Sequence, residues 1–321
     1  MRIISNIVFV GTADFGIPTL EKLIDCKSHT IQVVTQPDRP RGRGKKILPS
    51  PVKKIAVNRR ISIYQPENIN DKEFINILDS LNPDIILVVA YGQILSDKVL
   101  QIPRRGCINI HGSLLPAYRG AAPINWALIN GEKETGITYI SMNSKIDDGN
   151  IIGQFKINIL PDETFGELSN KLAVLSAETI LKILHDFING EILQIPQNRK
   201  IATYTRKMKK NDGEINWSNK AAIVYNLIRG TIPYPGAYTY YQGKKIKITQ
   251  SRKLMEDEGD NSFKAFSPGT IVNIEKDGLT VTTGDEGKIK LVQLIPAGAK
   301  EMTAWQFVNG YKIKTSDKFG K

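Results

Sequence analysis

Cysteine is scarce here, with two in 321 residues. Cys26 and Cys107 stand alone, without C-x-x-C or metal spacing, which excludes a disulfide scaffold. Both suit a reducing compartment and read as small core residues. Long apolar runs are missing as well, and none approaches the roughly 20 residues that cross a bilayer. Met1-Arg2-Ile3-Ile4-Ser5 leads directly into an apolar strand with no signal-peptide pattern, so a cytoplasmic location without membrane contact is expected. Histidine is limited to His29, His111 and His185, and no ligand cluster is visible, so no metal is expected. Gly11 to Gly16 follows the first strand but lacks both G-x-G-x-x-G and G-K-[ST]. It reads as a tight strand-to-helix turn, and NAD and ATP are rejected as cofactors. Acidic residues are in deficit, 32 against 44 Lys and Arg. The excess is uneven: residues 1–200 carry a net +4, residues 201–321 a net +8. A basic C-terminal third points to a polyanionic partner.

What is present suggests two domains. The N-terminal part alternates strand-like and helix-like runs. Ile7–Val10 and Ile31–Thr35 read as strands, and Ile17–Ile24 and the Phe74, Ile75, Leu78, Leu81 face as helices. Asp84–Ala90 is apolar enough to be a central strand covered on both faces. Such alternation implies a mostly parallel sheet, whose ligands bind at the carboxyl ends of strands. Residues 163–189 have the spacing of one long helix, with Leu168, Leu172, Leu175, Ile180, Ile183 and Leu184 on its buried stripe. Near residue 200 the pattern changes. Beyond it lie a short helix at 221–228 and five short strand-like runs at 237–241, 245–249, 269–274, 279–283 and 288–294, which suggest a small barrel.

The segment Asn109-Ile110-His111-Gly112-Ser113-Leu114-Leu115-Pro116-Ala117-Tyr118-Arg119 is the most informative. If it ends a strand, Asn109 and His111 point to one side. An amide donor beside an imidazole suits a developing oxyanion, and the imidazole can move protons near neutral pH. Arg119 can position this loop or reach a phosphate. The segment resembles the formyltransferase family that uses 10-formyltetrahydrofolate, in which an Asn-x-His pair followed by Ser-Leu-Leu-Pro lines the active site. A further aspartate belongs to that family's pattern Met-Asp-x-Gly-x-Asp-Thr-Gly-Asp. Here the stretch reads Met142-Asn143-Ser144-Lys145-Ile146-Asp147-Asp148-Gly149-Asn150. Asn143, Lys145, Asp148 and Asn150 depart from the pattern. Alignment on Ile146 and Gly149 selects Asp147 rather than its neighbour Asp148. The resemblance implies Asn109, His111 and Asp147 as the catalytic set. It implies a folate cleft built from Ser113, Leu114, Leu115 and Pro116 with Val89, Ala90, Tyr91, Gly92 and Ile94.

Gln36–Pro51 is rich in Pro and Gly and is expected to be a loop. From Gln36 to Arg60 there are nine Lys or Arg and one acid, a composition suited to a phosphate backbone. Gln36-Pro37-Asp38-Arg39-Pro40 and Gly42-Arg43-Gly44-Lys45-Lys46 resemble an insertion in the family members that formylate methionyl-tRNA, where it meets the acceptor end. Ile215-Asn216-Trp217, Arg229 to Ala237 (with Gly230 for the usual alanine) and Met302 to Gly310 resemble the C-terminal pattern of the same branch. The resemblance spans the whole chain. It implies a Rossmann-like, mostly parallel sheet with helices on both faces over residues 1–203, a basic linker at 204–213, and a smaller OB-like β-barrel that binds tRNA at 214–321. Arg39, Arg41, Arg43, Lys45, Lys46, Lys207, Lys209 and Lys210 are the tRNA-binding candidates. The expected reaction moves the formyl group of 10-formyltetrahydrofolate to the α-amino group of initiator methionyl-tRNA, in a monomer. Asn109 and His111 hold the oxyanion, and Asp147 orients His111. Two alternatives stand beside this: a formyltransferase acting on an amino sugar nucleotide, and a catalytically inactive tRNA-binding protein. A glycinamide ribonucleotide formyltransferase would end near residue 200.

Overall fold

The computed structural model describes residues 5–41, 46–254 and 266–320. Over these the chain forms two compact units. One takes in Met1–Pro123, Glu134–Asn158 and Ser169–Thr205, the other Ile124–Lys133, Ile159–Leu168 and Arg206–Lys321.

Through the first 205 residues the elements are β1 (Ser5–Gly11), α1 (Ile17–Asp25), β2 (His29–Val34), β3 (Arg39–Arg41), β4 (Lys46–Leu48), α2 (Pro51–Asn58), β5 (Ile63–Tyr64), α3 (Lys72–Ser80), β6 (Ile85–Val89), α4 (Asp97–Leu100), β7 (Cys107–His111), β8 (Arg119–Gly120), α5 (Pro123–Ile129), β9 (Glu134–Ser141), β10 (Asn150–Asn158), α6 (Phe165–Asn189) and β11 (Tyr204–Thr205). Seven strands make one sheet in the order β10-β9-β7-β6-β1-β2-β5. From β5 to β7 neighbours are parallel, while β9 runs antiparallel to β7 and β10 to β9. The mostly parallel sheet is therefore as expected. All five residues of β6 are buried, as suits a strand covered on both faces. The α6 stripe is buried at Leu168, Leu172, Ile180, Ile183 and Leu184, with Leu175 half-buried. Helix α2 starts where Pro51 follows Ser50, whose hydroxyl accepts the Lys53 N–H at 3.0 Å.

The topology locates a crevice. After β1 the chain goes to β2 and β5 on one side, then crosses to β6 and β7 on the other. The reversal leaves open ground beyond the carboxyl ends of β1 and β6. Val88 pairs with Asn109, so the ends of β6 and β7 lie side by side.

The second unit adds α7 (Ala221–Thr231), β12 (Tyr238–Tyr241), β13 (Lys244–Lys253), β14 (Ile271–Glu275), β15 (Gly278–Thr282), β16 (Lys288–Pro296), β17 (Met302–Thr303) and α8 (Ala304–Tyr311). Its sheet is antiparallel in the order β12-β13-β16-β15-β14, with β17 on β16. Each of the five expected strands is there. Ile246, Ile248, Leu291, Phe307 and Phe319 fill the core, and Trp217 stacks on Phe319 at 6.1 Å. Two earlier pieces of the chain join this unit. Asn125 of α5 donates to the Gly230 carbonyl at 2.8 Å, Tyr225 to Asp162 at 2.7 Å, and Arg229 to the Glu163 carbonyl at 3.0 Å.

Candidate active site

β7 ends at His111, and its pleat aims Asn109 and His111 at one carboxylate. The Asn109 amide donates to Asp147 Oδ1 at 3.3 Å, and His111 Nδ1 lies 3.5 Å from Asp147 Oδ2. The Gly120 N–H donates to the same Oδ2 at 2.8 Å. The three residues named from sequence therefore meet. His111 is buried, and its Nε2 sits 2.9 Å from the Tyr118 carbonyl. That carbonyl can only accept, so Nε2 carries a hydrogen. Asn109 has spent one N–H on Asp147, leaving its second for a ligand, and both ring nitrogens of His111 face oxygen acceptors.

The surrounding backbone is strained. Ala90, Tyr118 and Asp147 have φ of +49°, +62° and +49°. Left-handed backbone costs a non-glycine residue roughly 1–2 kcal/mol, and such positions gather at functional sites. Gly149 answers a different demand: a Cβ there would lie 1.9 Å from the Ser141 carbonyl oxygen.

Asp148 is buried between two guanidinium groups, Arg119 at 2.6 Å and Arg199 at 2.7 Å. The bond from Arg199, with the charge of Arg119 beside it, holds the Asp148 carboxyl below the usual carboxylate range. Arg119 is 2% exposed, and its guanidinium is occupied by Asp148. Gln197 joins the same cluster. Its Nε2 donates to the Asp147 and Gly149 carbonyls, and its Oε1 accepts from Arg119. Sequence reasoning missed it because no local pattern links residues fifty positions apart.

The expected cleft residues divide by orientation. Ser113 and Leu115 are buried, while Leu114 and Pro116 are half-buried. Thr138 pins this turn by accepting the Leu115 N–H at 3.1 Å and donating to the Ser113 carbonyl at 2.6 Å. At the end of β6, Ala90, Gly92 and Ile94 are exposed. Val89 is buried, and Tyr91 packs in the core beside Val88, Leu95 and Cys107. Ser113, Leu115, Val89 and Tyr91 thus support the crevice with their side chains and do not line it. Burial pushes the Tyr91 hydroxyl pKa up to about 12. The Tyr91 carbonyl accepts from Thr12 at 3.1 Å and Gln36 at 3.2 Å, which ties the ends of β1, β2 and β6 together.

The basic segment is not a plain loop. β3 and β4 pair as an antiparallel hairpin. Arg39 pairs with Glu67 at 2.5 Å, and Lys46 and Ile47 are exposed on β4. Arg43, Lys45 and the Arg41 side chain lie outside the described residues. Lys207, Lys209 and Lys210 are exposed in the second unit. Among the described residues, one group of three potential metal ligands draws together, the partly exposed His185, Asp186 and Glu191. Asp186 there is already paired with Lys182. No helix of the described residues is long and apolar enough to cross a membrane.

Comparison with known proteins bears on this geometry. Residues 5–184 match the formyl transferase family and residues 207–312 match the family described as formyl transferase, C-terminal domain. The chain is 43% identical over 316 residues to the methionyl-tRNA formyltransferase of Acetivibrio thermocellus, covering 98% of this chain and 100% of that protein. It is 44% identical over 318 residues to the methionyl-tRNA formyltransferase of Halothermothrix orenii, with the same coverage of 98% and 100%. Among solved structures, HypX from Aquifex aeolicus in complex with tetrahydrofolic acid shares the fold at a TM-score of 0.66 and 14% identity, over 98% of this chain and 49% of that one. Matched in both parts and along its whole length, the chain belongs to the methionyl-tRNA formyltransferase family.

Proposed function

We propose that this protein transfers the formyl group of 10-formyltetrahydrofolate to the α-amino group of methionyl initiator tRNA, giving N-formylmethionyl-tRNA and tetrahydrofolate. One observation carries the chemistry: Asn109, His111 and Asp147 converge at the carboxyl end of β7, beside the exposed end of β6. The full-length relatives carry the choice of acceptor.

The methionyl amine has an unperturbed pKa near 8, so about a tenth is neutral at pH 7. Its lone pair attacks the formyl carbon, and negative charge develops on the formyl oxygen. The second N–H of Asn109 receives that charge. His111, held beside Asp147, turns its Nε2–H from the Tyr118 carbonyl to the same oxygen. One good oxyanion donor contributes roughly 3–4 kcal/mol. Asp147 orients the imidazole and helps pass the amine proton to N10 as the C–N10 bond breaks. The donor's flat ring system fits the exposed backbone at Ala90 and Gly92 with Ile94, Leu114 and Pro116 as apolar walls. In this reading residues 1–203 do the chemistry and 214–321 hold the tRNA, joined by 204–213. Arg39, Arg41, Arg43, Lys45, Lys46, Lys207, Lys209 and Lys210 serve its phosphates. The protein acts as a cytoplasmic monomer and requires no metal.

The test is formyl transfer by the purified protein from 10-formyltetrahydrofolate, with methionyl initiator tRNA and an amino sugar nucleotide offered in parallel. Formylated methionyl-tRNA alone is expected. Transfer to the sugar alone overturns the acceptor, and tight tRNA binding without turnover overturns the enzyme.

A further inference from the structure

Asp147 occupies a left-handed backbone conformation, with φ of +49°. A non-glycine residue stays there only where its surroundings over-determine it. The carboxylate is held by Asn109 and Gly120, but the backbone on both sides of Asp148 is held by Gln197. Gln197 Nε2 donates to the Asp147 carbonyl at 2.8 Å and to the Gly149 carbonyl at 2.7 Å. Its Oε1 accepts from Arg119 Nε at 3.0 Å and Nη2 at 2.7 Å. Both donors and both lone pairs of the amide are thereby used. Arg119 is fixed in turn, because its Nη1 pairs with Asp148 at 2.6 Å. The contacts close a ring through Gln197, Arg119 and Asp148 back to the turn itself. Asp148 points its carboxylate to the arginines, and Asp147 points its own to His111.

We propose that Gln197 is a positioning residue for the formyl transfer. It clamps the turn at residues 147–149 so that the Asp147 carboxylate faces His111 and Asn109. This rests on the role given to Asp147 above. Gln197 bonds the backbone of the turn rather than the carboxylate, so its effect on rate is expected to pass through Asp147.

A double-mutant cycle tests that dependence. Gln197→Met keeps the length of the side chain and removes both N–H donors. It is measured alone, with Asp147→Asn, and against Asp147→Asn alone, each with a melting curve. Gln197→Met is expected to lower kcat about 10- to 100-fold, as a misplacement near 1 Å does, with KM for tRNA and folate within about threefold of wild type. In the Asp147→Asn background it is expected to change kcat by less than about twofold, because the group it positions is gone. Equal losses in both backgrounds, or an unchanged kcat in Gln197→Met, overturn the proposal. Near-normal turnover of Asp147→Asn itself overturns the role of Asp147, and this inference with it. If Gln197→Met does not fold, Gln197→Glu replaces it in the cycle. The carboxylate still accepts from Arg119 but offers no N–H to either carbonyl, and the same outcomes apply.

Discussion

At the scale of the residue, two neighbouring aspartates do different work. Asp147 and Asp148 are adjacent, yet one meets His111 at 3.5 Å and the other meets Arg119 at 2.6 Å. His111→Ala removes an oxyanion donor, so turnover should fall at least 100-fold while tRNA binding persists. Steady-state rates with a tRNA binding curve check this, and turnover within about tenfold of wild type defeats the assignment. Asp148 predicts a pH effect. Its folded carboxyl titrates below the ordinary value because of the Arg199 bond and the Arg119 charge. The contribution to stability is therefore complete above the unfolded value of about 3.9, and is lost as pH falls through the lower folded value. Melting temperature should drop on acidification below about pH 4, and Asp148→Asn should show a shallower acid limb from a lower starting stability. An identical acid slope in the two proteins contradicts the pairing.

At the scale of the element, the β3–β4 hairpin carries the clearest prediction. A Pro/Gly-rich stretch reads as a loop because these residues punctuate local structure, and the pairing of Arg39 with Leu48 has no local signature. Replacing Arg41, Arg43, Lys45 and Lys46 by Ala should weaken tRNA use. It should also reduce the slope of log affinity against log salt by about one for each phosphate no longer neutralised. Binding titrations at several salt concentrations measure it, and an unchanged slope moves the tRNA site elsewhere. β6 is readable for the opposite reason. Its unbroken apolar run has no other place than the middle of a covered sheet. Tyr91, just beyond it, reads as lining the crevice, because the left-handed Ala90 that redirects it into the core is not visible in composition.

At the scale of the whole molecule, the unit that contains residues 206–321 also requires earlier chain. Asn125, Asp162 and the Glu163 carbonyl supply partners to Gly230, Tyr225 and Arg229. A fragment of residues 206–321 alone loses them. Each hydrogen bond is worth about 1 kcal/mol, and a buried guanidinium that keeps the Asn226 amide but loses the Glu163 carbonyl costs more. The fragment should melt well below the corresponding transition of the full chain or show no cooperative transition. Calorimetry compares them, and equal melting temperatures refute the dependence.

The sequence by itself determined the class of each layer and, through the family pattern it resembles, pointed to Asn109, His111 and Asp147. Period-two spacing was enough to set Asn109 and His111 on one side, and apolar periodicity was enough to separate sheet from helix, because both are properties of a few consecutive residues. Tertiary structure decided which distant groups meet. The approach of Asp147 to His111, the Gln197 amide on the 147–149 turn, the burial of Asp148 between two arginines and the transfer of 124–133 and 159–168 to the second unit all join residues dozens of positions apart. Such contacts depend on strand order, on register and on which loops close over which ends. Those are set by the packing of the whole chain and leave no periodic trace in any one segment.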